Sequence, residues 1–214
     1  MTHAQFLLLH GYTGSGPEHW QSWVSKRLSD RGFDVRVPAL PQPNSPRLHE
    51  WRATLERELA QCDAGRLVVL AHSAGSLLWL HHVANRTTRL ASRVLLVAPP
   101  GPGWDEPSVD GFIPVAIYPE GIRSSAEETL LVGTVDDPYR SEADFRAYAR
   151  AAHVELDLLP SGGHLNSDAG FGPWPAVEEW ALGAASVSAR RNRHDQQVGW
   201  TGHRDARIGP WMDG

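Results

Sequence analysis

The strongest constraint on the fold is a series of short, unbroken apolar runs. They lie at 6–9, 33–37, 67–71, 94–98, 130–132 and 154–159, and the second and last are the weaker ones. Apolar runs that do not alternate with polar residues are typical of strands covered on both faces. Segments long enough for amphipathic helices separate most of the runs. The pattern predicts an α/β fold: a doubly wound, mostly parallel sheet with helices on both faces.

Helices are predicted between these strands. The first, at 18–31, begins just after Pro17 and ends before Gly32, which follows the usual preference for proline at a helix start and glycine beyond its end. The others are predicted at 48–62, 76–85, 143–152 and 176–182. The segment 99–125 is rich in proline and glycine and is long for a plain connection. We expect it to be either functional or loosely ordered, and its place after a strand would let it overhang a site.

Length and composition indicate one folded domain. A chain of 214 residues with 41% hydrophobic and 21% charged residues fits a single α/β domain, which we assign to 1–185. The composition becomes polar after this point, so 186–214 is predicted to be a disordered extension. Its tryptophans leave docking onto the domain open. Three arginines at 190, 191 and 193 could bind a protein partner, although the sequence indicates none.

Charge and cysteine content exclude several classes of function. A net charge of −5 and a pI of about 6.1 do not favour a nucleic acid or an anionic membrane as partner. Cys62 is the only cysteine, which excludes an intrachain disulfide and a thiolate metal cage. No apolar stretch approaches the roughly 20 residues of a membrane helix, and the N-terminus lacks a signal-peptide pattern. We therefore expect a cytoplasmic protein without metal or cofactor.

Residues 67–78 are predicted to form a strand, a sharp turn and a helix around Ser73. Such a turn holds a nucleophilic serine in a strained conformation and projects its hydroxyl above the sheet. Ala71 and Gly75 are small, as the close approach of strand and helix requires, so the usual G-x-S-x-G motif occurs here as A-x-S-x-G. A serine that only caps the helix is the alternative. The flanking strand and helix favour the nucleophile.

A serine nucleophile needs a base and an orienting acid, which follow it in the order Ser, Asp or Glu, His in this type of fold. His164, on a Gly-Gly loop after the last predicted strand, is the candidate base. Asp136 and Asp137 follow the strand at 130–132, where a parallel sheet places functional groups. We assign Asp137, which precedes a proline, as the acid and Asp136 as a turn or hydrogen-bonding residue. His72 is expected to be structural.

Acyl transfer also requires backbone N–H donors for the developing oxyanion. Ala74, directly after the nucleophile, is predicted to supply one, and Tyr12, in the loop after the first strand, the other. A glycine-rich loop in that place is also typical of a dinucleotide site. However, the string G-Y-T-G-S-G does not match G-x-G-x-x-G, and no acidic residue ends a clear second strand. Nucleotide binding is therefore not favoured.

These motifs resemble those of the small single-domain serine hydrolases that include retinoblastoma-binding protein 9 and its bacterial relatives. The matching residues are His10, Gly11, Trp20, Trp23, 71–75, 136–139, Gly163 and His164. The resemblance implies an α/β-hydrolase fold without a large cap domain and a triad of Ser73, Asp137 and His164. It also implies that the segment 99–125 is a modest substitute for a cap. Three of its apolar side chains then line a substrate pocket or, alternatively, only close the core: Trp104, Phe112 and Ile113.

The predicted function is that of a serine hydrolase, carboxylesterase-like, which cleaves a small-molecule ester or short amide through an acyl-enzyme on Ser73. Peptidase activity would use the same residues, and the sequence does not separate the two. The alternative is a non-catalytic interaction protein on a hydrolase fold, since a fold does not guarantee activity. The complete set of triad residues argues against such a loss.

Overall fold

The computed structural model describes residues 4–109, 111–113 and 116–187. Its centre is a six-stranded sheet with the order β2-β1-β3-β4-β5-β6, in which every pair of neighbouring strands is parallel. The strands are β1 (Gln5–Leu9), β2 (Asp34–Arg36), β3 (Leu67–His72), β4 (Ala91–Val97), β5 (Ala126–Thr134) and β6 (Glu155–Leu159). The predicted doubly wound parallel sheet is confirmed, and each strand overlaps one of the apolar runs.

The described residues form six helices. They are α1 (Trp20–Asp30), α2 (Leu48–Leu59), α3 (Ala74–Val83), α4 (Pro119–Ser125), α5 (Glu142–Ala152) and α6 (Pro175–Ala181). Five overlap the predicted helices. The exception, α4, lies inside the segment 99–125, where no helix was predicted because the segment is rich in proline and glycine. A Cβ at Gly121 would lie 2.1 Å from the Val83 carbonyl oxygen, so this glycine lets α4 approach the end of α3 closely.

The sheet carries a hydrophobic core on each face. Phe6 and Leu8 of β1 face α1 and α6, whereas the alternate residues Leu7 and Leu9 face α2, α3, α4 and α5. Side chains on a strand alternate between its faces, so a strand with helices on both sides must be apolar throughout. This is why the runs in the sequence are continuous. The burial of each of these leucine or valine side chains contributes about 1.5–3 kcal/mol to the stability of the fold.

The chain reverses its winding between β1 and β3. The connection after β1 runs through α1 on one face, and the connection after β3 runs through α3 on the other. In open parallel sheets, ligands bind at such a switch point, beside the carboxyl ends of the strands. Ser73 lies directly after β3 and the loop with Tyr12 lies after β1, so both candidate segments meet there.

Ordered packing continues two residues past the predicted domain boundary at 185. The Ser186 hydroxyl and the Val187 N–H both donate hydrogen bonds to Asp157 Oδ2 at 2.7 Å, and Val187 is buried on the α1 and α6 face. The rest of the predicted extension, 188–214, lies outside the described residues. In the described part of the chain, no helix has the length and apolar character needed to cross a membrane.

Candidate active site

Ser73 occupies a strained turn between β3 and α3. Its φ of 52° and ψ of −123° are rare for a residue other than glycine and cost about 1–3 kcal/mol. The surrounding structure holds this conformation: the Ser73 N–H donates to the Val97 carbonyl oxygen at 2.9 Å. The turn lifts the hydroxyl above the carboxyl end of the sheet, which is the geometry that the A-x-S-x-G motif predicts.

Two glycines make room for this turn. A Cβ at Gly75 would lie 2.3 Å from the Leu9 carbonyl oxygen, and a Cβ at Gly11 would lie 2.8 Å from the Ser73 Cβ. No side chain fits at either distance, so α3 and the loop after β1 can approach each other only through glycine. The role of Gly75 follows from the motif. The role of Gly11 was not predicted, although its place directly after a strand was a signal.

The three predicted triad side chains meet in one hydrogen-bonded chain. Ser73 Oγ lies 2.8 Å from His164 Nε2, and His164 Nδ1 lies 3.1 Å from Asp137 Oδ2 and 3.2 Å from Oδ1. The residues are 5%, 7% and 8% exposed, respectively. They follow β3, β6 and β5, so three separate strand ends supply them. Shielding from water strengthens the hydrogen bonds between them.

The two neighbouring aspartates have different partners. Asp137 contacts His164 and also accepts the N–H of Tyr139 at 2.8 Å, which fixes its carboxylate. Asp136 Oδ1 instead accepts the N–H groups of Gly162 and Gly163, each at 2.9 Å. Desolvation raises the pKa of Asp136, but its hydrogen bonds, chiefly from the Gly163 N–H, outweigh this and lower the pKa below its usual value. Asp136 therefore holds the loop that carries His164.

Two further contacts hold the same loop. Thr134 Oγ1 donates to the Gly163 carbonyl oxygen at 2.6 Å, and His72 Nε2 lies 3.0 Å from the His164 carbonyl oxygen. Complete burial, together with the nearby His164 and His19, lowers the pKa of His72 well below its usual value. A neutral His72 therefore donates from Nε2–H to this carbonyl. It supports the His164 backbone and makes no hydrogen bond with Ser73.

A cavity of about 620 Å³ opens over Ser73 and His164. One wall is a row of aromatic rings in which Trp104 lies 6.4 Å from Tyr12 and 6.3 Å from Tyr139 between ring centroids. Tyr139 packs edge-on against His164 at 4.6 Å. The charged side chains of the lining are Asp105, Glu106 and Asp168, and the described residues of the lining include no lysine or arginine.

Of the three predicted pocket residues, only Trp104 lines this cavity. Phe112 is fully buried and packs against Trp51 with the ring centroids 5.2 Å apart, and its carbonyl oxygen lies 2.9 Å from His81 Nε2. Ile113 lines a separate cavity of about 280 Å³ beside α5. The assignment of Phe112 and Ile113 to the substrate pocket is therefore corrected. The segment folds back onto α2 and α3 after Trp104, so these side chains close the core.

The sequence model of one protein family, described as "Serine hydrolase", matches residues 6–181. The chain belongs to the serine hydrolase family. It is 29% identical over 182 residues to YdeN of Bacillus subtilis (strain 168), which is described as a hydrolase, and the match covers 81% of this chain and 92% of YdeN.

Solved structures of related proteins share the fold of this serine hydrolase. The crystal structure of the B. subtilis ydeN gene product has a TM-score of 0.73 at 25% identity, with coverage of 84% of this chain and 97% of that one. A YdeN-like hydrolase from Pectobacterium atrosepticum has a TM-score of 0.67 at 27% identity, with coverage of 84% and 91%. A protein from Klebsiella pneumoniae described as a dienelactone hydrolase shares the fold alone, at 13% identity and a TM-score of 0.61, with coverage of 86% and 89%.

The serine hydrolase also positions the loop after β1 with a buried glutamine that was not predicted. Gln21 Nε2 donates to the carbonyl oxygens of Leu9 at 3.0 Å and Leu70 at 3.1 Å, and Gln21 Oε1 accepts the Ser15 hydroxyl at 2.6 Å. These contacts tie α1 to the ends of β1 and β3. The signal was a polar residue within the apolar face of the first predicted helix.

The predicted oxyanion donors lie at the ends of the two strands that flank the switch point. Ala74 begins α3, and Tyr12 follows β1 and lines the cavity. In the described part of the chain, neither N–H donates to a protein acceptor. No group of three or more histidine, cysteine or carboxylate side chains among the described residues is arranged to hold a metal ion.

Proposed function

We propose that this serine hydrolase cleaves a small carboxylic ester, or a short amide, through an acyl-enzyme formed on Ser73. One observation carries the proposal: an unbroken hydrogen-bonded chain from Ser73 Oγ through His164 to Asp137, with distances of 2.8 and 3.1 Å. A serine hydroxyl becomes a useful nucleophile only when a base in hydrogen-bond contact takes its proton and a third group orients that base. The three side chains have this arrangement.

In the first step, Ser73 Oγ attacks the carbonyl carbon of the substrate while its proton passes to His164 Nε2. Nδ1–H of the resulting imidazolium donates to the Asp137 carboxylate, which stabilises the positive charge. A tetrahedral intermediate forms with a negative charge on the former carbonyl oxygen. The N–H groups of Tyr12 and Ala74, which have no acceptor among the described residues, are our candidates for stabilising this oxygen.

In the second step, the bond to the leaving group breaks and His164 returns the proton to the departing alcohol or amine. The acyl group stays on Ser73 Oγ. A water molecule then attacks the acyl carbon as His164 takes its proton, and the second tetrahedral intermediate releases the acid and restores the Ser73 hydroxyl. His164 thus acts as base and acid in turn, and it contacts Ser73 as both roles require.

The size of the cavity supports a small-molecule substrate. A volume of about 620 Å³ lies within the range of roughly 300–1,000 Å³ that is common for small-ligand sites. The resemblance to retinoblastoma-binding protein 9 and the cytoplasmic location stay predictions from the sequence.

The experiment that tests this proposal is labelling with an alkyl fluorophosphonate, followed by measurement of the intact mass. We expect one adduct on the wild-type protein and none on Ser73→Ala. Ser167→Ala is the matched control, because this hydroxyl lines the same cavity, and it should still form the adduct. No adduct on the wild type would refute the proposal and favour a non-catalytic interaction protein.

A further inference from the structure

The cavity of the active site has a charge imbalance that the chemistry above does not explain. Its lining includes three carboxylates, Asp105, Glu106 and Asp168, and no lysine or arginine among the described residues. None of the three forms an ion pair with a described side chain. Elsewhere, arginine pairs with carboxylates even at exposed positions, as Arg89 does with Glu127. The carboxylates of the cavity therefore lack a counter-charge within the described part of the chain.

The histidines of the lining do not supply the missing positive charge. Burial lowers the pKa of His72 well below its usual value, and burial also lowers the pKa of His19 to about 4. Both side chains are therefore uncharged at neutral pH. In the proposed mechanism, His164 is charged only while it holds the proton of Ser73. Before the reaction starts, the described lining thus carries a net negative charge.

The three carboxylates belong to two separate segments of the cavity wall. Asp105 and Glu106 lie in the segment 99–125 after β4, and Asp168 lies in the loop after β6 that also supplies the proposed base. Asp105 and Asp168 are exposed, and the Ser108 N–H holds Glu106 by donating to its Oε1 at 3.0 Å. No three carboxylate, histidine or cysteine side chains of the described residues are grouped as a metal ion requires. The negative charge is spread along the cavity, which suits an organic cation.

The aromatic wall of the cavity is also suited to a cation. Trp104 lies between Tyr12 and Tyr139, and Tyr139, which is 43% exposed, contacts the ring of the proposed base. The negative faces of such rings attract cations, and quaternary ammonium groups are commonly bound in this way. Arginine occupies this position over other rings of the protein, as Arg93 does over Trp180 at 4.0 Å. No lysine or arginine of the described residues lies over the three rings of the cavity.

We propose that Asp105, Glu106 and Asp168 make the enzyme specific for esters with a positively charged group, which packs against Trp104. The preferred substrate then has an ammonium group on its acyl or alcohol part, and neutral or anionic esters react more slowly. Clefts lined by one sign of charge raise the local concentration of oppositely charged substrates about tenfold or more. The assignment rests on the proposed hydrolase function, because it assumes that the substrate reacts at Ser73.

Two triple variants test the role of the carboxylates. The cavity variant removes the three negative charges and keeps the shapes of the side chains; it combines Asp105→Asn, Glu106→Gln and Asp168→Asn. The control variant makes the same change in net charge at or next to the amino ends of β2, β5 and β6, on the opposite edge of the sheet. It replaces three exposed carboxylates by Asp34→Asn, Glu127→Gln and Glu155→Gln. The comparison therefore separates the charge of the cavity from the charge of the whole protein.

The assay uses two pairs of esters in which a quaternary nitrogen replaces a quaternary carbon, so the members of a pair share a shape and differ in charge. On the acyl side, p-nitrophenyl 4-(trimethylammonio)butanoate is compared with p-nitrophenyl 5,5-dimethylhexanoate. On the alcohol side, butyrylcholine is compared with 3,3-dimethylbutyl butyrate, with acid release followed at constant pH. The inductive effect of the nitrogen on the ester is the same for every enzyme variant, so it cancels when variants are compared.

In at least one pair, the cavity variant should lower kcat/KM for the cationic ester relative to its neutral isostere about tenfold. The control variant should keep the wild-type ratio. Trp104→Leu should lower the ratio about threefold, because the contact between the cation and the ring is lost. Raising NaCl from about 0.01 M to about 1 M shortens the screening length from about 30 Å to about 3 Å. The wild-type ratio should then fall towards that of the cavity variant.

Carboxylates that only keep the surface soluble predict a different result. If the cavity variant keeps the wild-type ratios, if both triple variants lower them equally, or if salt leaves the wild-type ratio unchanged, the proposal is wrong. It is also wrong if the wild type is labelled by the fluorophosphonate but hydrolyses neither cationic ester. The labelling separates this failure from that of the proposed function. Wild-type protein without an adduct would refute the hydrolase mechanism itself, whereas labelled protein with unchanged ratios would refute only the preference for a cation.

Discussion

The turn at Ser73 and the loop at His164 supply the two partners of one hydrogen bond, but they are held in place differently. The turn is fixed by close packing, since Gly11 and Gly75 allow contacts that no side chain would. The loop is fixed by polar contacts from Asp136, Thr134 and His72. The close packing of the turn is part of the core, whereas the polar contacts of the loop lie at the carboxyl end of the sheet. Changes to the turn should therefore damage the fold, and changes to the loop should damage activity.

The largest effect is expected from Asp137→Asn. An asparagine can occupy the same space, but its amide favours the wrong tautomer of His164 and does not stabilise an imidazolium. We expect kcat for an activated ester to fall by about 10⁴-fold, as in other triads. The melting temperature should stay within a few degrees of the wild type, because the shape of the side chain is kept. Steady-state kinetics and thermal unfolding test both parts.

The packing of the turn is tested by Gly75→Ala. The added Cβ would lie 2.3 Å from the Leu9 carbonyl oxygen, so α3 or β1 must move. We expect a loss of about 3 kcal/mol or more in the free energy of unfolding, measured by urea denaturation. Gly65→Ala is the control, because its Cβ would meet only Asp63 Oδ1, at an ordinary 3.5 Å. Equal stability of the two variants would contradict the steric account of the turn.

The polar support of the loop is tested by Asp136→Ala. This change removes the acceptor of the Gly162 and Gly163 N–H groups and leaves Asp137 in place. We expect a fall of about tenfold in kcat/KM and in the rate of fluorophosphonate labelling, with little change in stability. A loss larger than that of Asp137→Asn would show that the roles of the two aspartates are reversed.

The smallest effect is expected from mild acid. Burial lowers the pKa of His19 and of His82 to about 4, from an ordinary value of 6.5. Between these values the unfolded chain binds protons that the folded chain does not, so stability is complete above pH 6.5 and decreases as the pH falls towards 4. The melting temperature should drop by about 5 °C from pH 7 to pH 5. The double variant His19→Asn, His82→Gln should show a smaller drop, and an equal drop would exclude these histidines as the cause.

The sequence predicted those features of the fold and of the site that depend on residues close together in the chain. The strands could be predicted because a strand buried on both faces must be apolar throughout. Ser73 could be predicted because its strained turn requires small residues at fixed positions. The proposed acid and base follow from chain order and from their places after strands. Contacts between segments that are distant in the chain could not be predicted from the sequence. Nothing near Phe112 shows that it packs on Trp51, and nothing near His19 shows that its ring reaches the Ser73 cavity.

The adjacency of Asp136 and Asp137 has a mechanical consequence. Asp136 holds the loop of His164 and Asp137 contacts the His164 ring itself, so both contacts originate from the same end of β5. A shift of that strand end therefore moves Asp137 and the loop of His164 together. The hydrogen bond from His72, next to Ser73, ties the same loop to the end of β3. The position of His164 relative to its two partners is thus set from both sides, by the ends of β5 and β3.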